Sequence, residues 1–197
     1  MKRLVVAIVF LFMLIFIQQD ARASISMFGY TFDDNAFSDD AKLISGDVSP
    51  RNGWNGGEMP DIPSALNGSS LNTYIEGRLT ESTSSPFMVE AIYKDNYLFN
   101  GSGADLTVWE RYTPEGFNLS IFDSSNNTWT NELFFQPTLV GYLYEEHAYR
   151  EVNLALVDFD QFGLASDVAI SRIRISSNST SYSPDIAALG GLNSRTV

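Results

Sequence analysis

Apolar and polar residues alternate with a period of two along much of this chain, the spacing at which successive strand side chains point to opposite faces of a sheet. Phe117, Leu119 and Ile121 are separated by Asn118 and Ser120, and Val152, Leu154 and Leu156 by Asn153 and Ala155. Ile173 and Ile175 alternate with Arg172 and Arg174, and Leu106 and Val108 face opposite to Thr107 and Trp109. Each pattern predicts a strand with one buried face. Further strands are expected at residues 25–31, 74–79, 87–93, 128–135 and 138–144. Turn-forming clusters separate them, at Pro114-Glu115-Gly116, at Asp123-Ser124-Ser125-Asn126-Asn127 and over residues 176–183. One short helix is expected over 161–169, and residues 45–70, rich in Gly, Pro, Asn and Ser, read as a long loop of the kind that often carries function. Many short strands with frequent turns predict an all-β fold, a single antiparallel β-sandwich or jelly-roll-like domain.

The N-terminus follows a different pattern. Lys2 and Arg3 precede an unbroken apolar run at residues 4–17, followed by Gln18, Gln19, Asp20 and the A-x-A sequence Ala21-Arg22-Ala23. As a helix the run would span roughly 21 Å, short of a hydrocarbon core of about 30 Å. It reads as a signal peptide over residues 1–23, with the domain occupying 24–197 and export as its destination; an uncleaved anchor is the alternative.

Removing residues 1–23 takes away three cations (Lys2, Arg3, Arg22) and one anion (Asp20), so the formal net charge moves from −12 to −14. Such a surface repels phosphate backbones and anionic headgroups, which argues against nucleic acid or membrane partners. The chain has no cysteine, so disulfides, thiol catalysis and Cys-ligated zinc are excluded.

Acidic and amide side chains gather at Asp33-Asp34-Asn35, at Asp105 after the Gly101-Ser102-Gly103 turn, at Glu110, and at Asp185. Hard oxygen donors of this kind suit calcium, so Asp33, Asp34, Asn35, Asp105, Glu110 and Asp185 are the candidate ligands of a structural Ca2+ ion; solvated loop acids are the plainer reading. Trp54, in the Gly/Asn-rich stretch, could stack on a sugar ring with Asn52 and Asn55 as hydrogen-bonding partners, or could fold back and plug one end of the sandwich. Trp109 and Trp129 fall on predicted strands. His147, the only histidine, stands among acids but cannot form a multi-His zinc site, and no G-x-S-x-G nucleophile elbow occurs. Two carboxylates of the glycosidase type stay open, because their separation is three-dimensional. Asn-x-Ser/Thr sequons occur at Asn67, Asn100, Asn118, Asn126 and Asn178.

Three segments in order carry a resemblance. They are residues 97–110, with Asn100-Gly101, Gly103 and Asp105-Leu106 before Val108-Trp109-Glu110; residues 157–165, around Asp158-Phe159-Asp160; and residues 170–189, leading to Leu192-Asn193-Ser194. Together they resemble an exported bacterial β-sandwich module found in cell-surface and PEP-CTERM-type proteins. The resemblance implies no enzyme activity. Such proteins end in a Pro-Glu-Pro motif, an apolar helix and a basic tail, whereas this sequence stops at Arg195-Thr196-Val197, which implies release or loose surface association. The expected function is a non-catalytic extracellular or cell-surface module that binds polysaccharide or surface proteins. A secreted hydrolase using paired carboxylates and a purely structural surface subunit are the alternatives.

Overall fold

The computed structural model describes residues 24–33, 35–52, 61–68, 71–77, 79–80, 83–84, 86–145, 147–166, 168–177 and 183–196. The expected signal peptide lies outside the described residues, as do Asp34, Trp54, Asn55 and the sequon at Asn178. In chain order the strands are β1 (Ser24–Met27), β2 (Tyr30–Asp33), β3 (Asp40–Gly46) and β4 (Val48–Asn52), then a helix α1 (Ile62–Leu66). There follow β5 (Thr73–Gly77), β6 (Leu79–Thr80), β7 (Thr83–Ser84), β8 (Phe87–Ile92), β9 (Asn96–Phe99), β10 (Leu106–Arg111), β11 (Phe117–Asp123), β12 (Thr128–Trp129) and β13 (Leu133–Phe135). The chain continues through β14 (Thr138–Glu145), β15 (Ala148–Val157), a 3-10 turn (Phe159–Phe162), β16 (Ala169–Ile170), β17 (Arg172–Ser177), β18 (Asp185–Gly191) and β19 (Ser194–Thr196).

Two antiparallel sheets make the sandwich, as the alternating patterns predict. The first has the order β14-β15-β10-β18-β5-β4, and the second β12-β11-β17-β8-β3 with β13 also paired to β11. Their facing side chains form one core: Val48, Ile75, Leu106, Val108, Val157 and Leu189 from the first sheet meet Val89, Ala91, Leu119, Ile121, Ile173 and Ile175 from the second. The alternation of β11 and β17 therefore reports real burial.

The first sheet is apolar on its other face too. Phe32, Phe37, Leu71, Tyr74, Trp109, Val152, Leu154, Ala187 and Ala188 form a second core there, with Ile25, Met27, Phe28 and Tyr30 packed over it. The hairpin β1–β2 supplies most of this cover. Residues 25–31 were expected as one strand; the chain instead reverses at Phe28 and Gly29, which have φ of 46° and 89°. Two consecutive left-handed residues give the tight turn whose twist matches that of the flanking strands. Phe28 is not a residue from which such a turn is read.

Other expectations need correction. The helix over 161–169 is only the 3-10 turn Phe159–Phe162, because Gly163 adopts φ 71° and caps it. The loop over 45–70 contains β4 and α1, whose N-cap Asp61 accepts a 2.7 Å bond from the Ser64 amide. The strand over 128–135 is interrupted, since Thr130 donates its amide to the Ile121 carbonyl (2.9 Å) and accepts from the Ile121 amide at its hydroxyl (3.0 Å). Leu156 is 45% exposed while Ala155 and Val157 are buried, because the outer cover reaches Val152 and Leu154 but not the end of β15.

Trp109 shows the importance of that cover. It is fully buried, its ring centroid lies 6.0 Å from those of Phe28 and Tyr30 and 6.4 Å from that of Phe32, and its indole N–H donates to the Thr107 hydroxyl at 3.0 Å. Trp109→Ala is expected to cost about 3–5 kcal/mol of stability, the usual range for emptying a large aromatic site. Urea unfolding measures this, and a loss below about 1 kcal/mol would mean that the hairpin does not pack on the sheet in solution.

Candidate functional site

The second sheet's outward face carries the chemistry, and strand register arranges it. Lys42 on β3 pairs with Glu90 on β8, Glu90 with Arg174 on β17, and Arg174 with Ser120 on β11. One row along, Ile92 pairs with Arg172, and Phe122 pairs with Trp129 on β12. Glu90 is fully buried beneath three cations: Lys42 Nζ at 2.9 Å, Arg174 Nη2 at 3.0 Å and Arg172 Nη1 at 3.7 Å. The arginines lie on aromatic rings, Arg172 3.5 Å from the Phe122 centroid and Arg174 3.8 Å from that of Trp129. Phe122 and Trp129 meet edge-on at 5.4 Å. The result is a preordered aromatic and cationic surface.

Trp129 straddles the sheet edge. Besides meeting Arg174 it lines a cavity of about 360 Å³ with Thr130, Asn131, Leu133, Gln161 and Phe162. Phe162 is held by a stack on Phe135 (6.1 Å), itself stacked on Phe117 (6.1 Å). The 3-10 turn supplies Gln161 and Phe162 to this lining, and the end of β12 with the residues after it supplies Trp129, Thr130 and Asn131. Aromatic and amide side chains in one lining suit a ring that has apolar faces and a hydroxylated edge. Among the described residues no carboxylate, histidine, serine or cysteine lines this cavity.

Sequence reasoning placed the ligand contacts elsewhere, at Asn52, Trp54 and Asn55. Asn52 ends β4, exposed; Trp54 and Asn55 lie outside the described residues. The cavity was missed because Trp129 and Phe162 are far apart in sequence and meet only through the register of β11, β12 and β13.

The expected calcium ligands separate into two groups. Asp105 immediately precedes β10; its Oδ1 accepts from the Gly101 amide (2.6 Å) and Asn193 Nδ2 (2.7 Å), and its Oδ2 from the Phe159 amide (2.8 Å). It thereby ties three loops together. Ala36, next to Asn35, accepts from Gly191 N, and the Asp105 carbonyl accepts from Leu192 N, which brings the end of β2 with Asp33 and Asn35 toward the same bend. Glu110 stands five residues further along β10, roughly 17 Å away by strand rise, and Asp185 begins β18 opposite Arg111 at the same end. Among the described residues no group of three or more His, Cys, Asp or Glu side chains is arranged to hold a metal ion. His147 is exposed at φ 70° in the turn between β14 and β15, a position that shapes a hairpin.

Glu110 and Asp185 instead join Glu76 and Glu115 in a carboxylate cluster. Glu110 accepts from Asn153 Nδ2 at 2.9 Å and from the Glu115 amide at 3.2 Å. Its pKa is pushed up to about 9, mainly by burial, against the pull of the Asn153 hydrogen bond and with a push from the Glu115 charge. Burial and then the Glu76 charge raise Glu115 to about 7. Asp185 titrates well above its ordinary range, through burial and then the charges of Glu76, Glu115 and Glu110. Glu76 itself accepts from Arg51 Nε at 2.8 Å.

No protein-family model matches the sequence, and no curated protein does. Among solved structures the chain is similar to a Streptococcus pneumoniae fucose binding module, SpX-3, at 14% identity and a TM-score of 0.43, covering 81% of this chain and 96% of that one. It is also similar to CBM28, a non-crystalline cellulose specific carbohydrate-binding module, at 11% identity and a TM-score of 0.37, covering 78% of this chain and 82% of that one. The chemistry of the site rests on its own residues.

The carboxylate cluster makes stability depend on pH. Between the ordinary glutamate value of 4.5 and the folded value of about 9 for Glu110, the unfolded chain releases a proton that the folded chain keeps. Stability therefore falls as pH rises through that window. Asp40 and Asp123, held low by Lys94 and Asn126, act in the opposite sense but only below about pH 4, near the ordinary aspartate value. The domain is expected to resist urea better at pH 5 than at pH 8, with Glu110→Gln flattening the slope and stabilising the pH 8 state. A slope that Glu110→Gln leaves unchanged would place the coupling elsewhere.

Proposed function

We propose that this domain is an exported, non-catalytic module that binds glycan at the edge cavity and the adjoining face of the second sheet. The observation that carries this reading is a cavity lined by Trp129 and Phe162 together with Thr130, Asn131 and Gln161. Its volume of about 360 Å³ falls within the range of small-ligand sites. Its aromatic residues offer stacking surface and its amides offer donors and acceptors, the two contacts a pyranose ring uses. The lining holds no carboxylate pair, so the cavity presents binding chemistry without an acid and a base. One group of carboxylates among the described residues, Glu76, Glu110, Glu115 and Asp185, is gathered around a fully buried Glu110 whose oxygens are already bonded to Asn153 and the Glu115 amide. That arrangement disfavours the paired-carboxylate hydrolase.

Affinity electrophoresis through gels loaded with different polysaccharides, followed by calorimetry, tests the reading. At least one polymer is expected to retard the domain. Trp129→Ala and Phe162→Ala should each weaken that binding about tenfold, the equivalent of 1.4 kcal/mol and in line with the worth of an aromatic contact. Circular dichroism checks that the variants stay folded. Binding that survives both substitutions would place the site elsewhere.

Export belongs to the same proposal. The secreted protein is expected to begin at Ser24, which N-terminal sequencing of the medium fraction reads. Recovery only as a full-length membrane species would make residues 4–17 an anchor.

A further inference from the structure

We propose that the glycan is anionic, its sugar oxyanion gripped by Arg172 and Arg174 beside the Trp129 cavity. This rests on the glycan-binding reading and names the ligand class for that site. Lys42, Arg172 and Arg174 converge on one buried carboxylate, Glu90. Of the neighbouring acids, Asp40 is paired with Lys94 at 2.5 Å, whereas Glu132 accepts from the neutral Ser176 hydroxyl at 3.3 Å and keeps its charge, so Lys42, Arg172 and Arg174 against Glu90 and Glu132 leave an excess of one cation. A chain with a formal charge of −12 thus gathers uncompensated positive charge on the face that adjoins its aromatic cavity.

Arg172 makes the case specific. Its guanidinium carbon lies 3.5 Å from the Phe122 centroid and 5.6 Å from that of Trp129, contacts that restrict where its fork can go. Its contact with Glu90 is 3.7 Å, longer than a hydrogen bond, and the side chain is about one-third exposed. Among the described residues it donates no hydrogen bond. A planar cation held in place with open donors is prepared for a carboxylate or sulfate oxygen pair, which guanidinium binds bidentately. Arg174 already donates from Nε to Glu90 at 3.0 Å and stacks on Trp129 at 3.8 Å, so it links the cationic row to the cavity wall. A sugar ring in the cavity would place the oxyanion of an adjoining ring over these two guanidinium groups.

A matched set of polymers separates the possibilities: polygalacturonate, the same polymer methyl-esterified, dextran sulfate, neutral dextran and double-stranded DNA. Polygalacturonate or dextran sulfate should retard the full mature domain, while the esterified polymer and dextran should not. Stronger retention by one of the first two identifies carboxylate or sulfate as the oxyanion. Arg172→Gln should weaken that binding at least tenfold with an unchanged thermal midpoint, because Glu90 keeps Lys42 and Arg174. Arg172→Lys should restore only part of it, since an ammonium cannot reproduce the fork.

Equal binding to esterified and free polymers, lost in Trp129→Ala but kept in Arg172→Gln, overturns the anionic inference and leaves the glycan reading intact. DNA binding as strong as that to the polyanionic glycans also overturns it, because charge alone would then suffice. Absence of binding to this set, with retention by some other neutral polysaccharide that Trp129→Ala abolishes, rejects the anion as well. Failure to bind any polysaccharide rejects the underlying reading.

Discussion

Strand β10 has no face for water. All six residues of Leu106–Arg111 are buried, so the sheet that contains it must be covered twice. Leu106 and Val108 are covered by the second sheet, which closes the sandwich. Thr107 and Trp109 are covered by the β1–β2 hairpin and by Phe37. The close fit on that side reaches the backbone: a Cβ on Gly190 would lie 2.8 Å from Phe32, 2.9 Å from Phe37 and 3.0 Å from the Thr107 hydroxyl. The Thr107 hydroxyl donates to the Gly190 carbonyl at 2.9 Å and accepts the Trp109 indole N–H, so the polar groups of this layer are satisfied within it. Central strands buried on both faces are more usual in parallel sheets with helices packed on them; here a hairpin takes the helix's place.

Double burial also governs what happens to charge. A charged group at the end of such a strand must find a partner or give up its charge. Arg111 takes the first course. It is fully buried, pairs with Glu145 at 2.6 Å and donates to the Leu71 carbonyl. Glu110, the next residue along on the opposite face, takes the second, for its neighbour Asn153 is neutral and Glu115 and Asp185 are themselves acidic. Glu90 is a third case. It stands on the outward face and is buried only because Lys42, Arg172 and Arg174 lie over it. The first two groups are enclosed within the domain, whereas the third leaves cations facing solvent.

Features set by local pattern were legible in the sequence. The alternation in Phe117–Asp123 and Arg172–Ser177 announced two strands, each with one buried face, and the all-β class followed from the density of such patterns. Features set by pairing were not. Leu156 continues the alternation of Val152 and Leu154, yet nothing covers it as they are covered. Phe28 stands where a turn would normally show Asn or Gly. The site suffered most. Trp54 drew attention because its surroundings were rich in Gly and Asn, while Trp129 looked like an ordinary strand residue. Only the pairing of Phe122 with Trp129, and the arrival of Phe162 from the 3-10 turn, make Trp129 a cavity wall. The raised pKa of Glu110 and Asp185 likewise depends on burial and on Glu76 and Glu115, brought together by pairing that no local pattern encodes. The acids were visible, but their proximity was not.

Net charge and site charge act over different distances, which removes the apparent conflict between an acidic protein and the anionic ligand proposed for it. In about 0.15 M salt the Debye length is about 8 Å, so most of the acidic surface is screened from a polymer approaching the second sheet. Arg172 and Arg174 act at contact, where a guanidinium and an oxyanion form directed hydrogen bonds and screening is weak. The overall charge then opposes nonspecific adhesion to polyanions, and the local row favours only a chain that can also seat a ring against Trp129. Selectivity of this sort depends on prior order, since each flexible side chain fixed on binding costs about 0.5–1.5 kcal/mol. Here Phe122 and Trp129 hold the arginines before any ligand arrives, and paired strands rather than free loops hold Phe122 and Trp129. The burial that orders the sandwich therefore also orders the groups on its outer face.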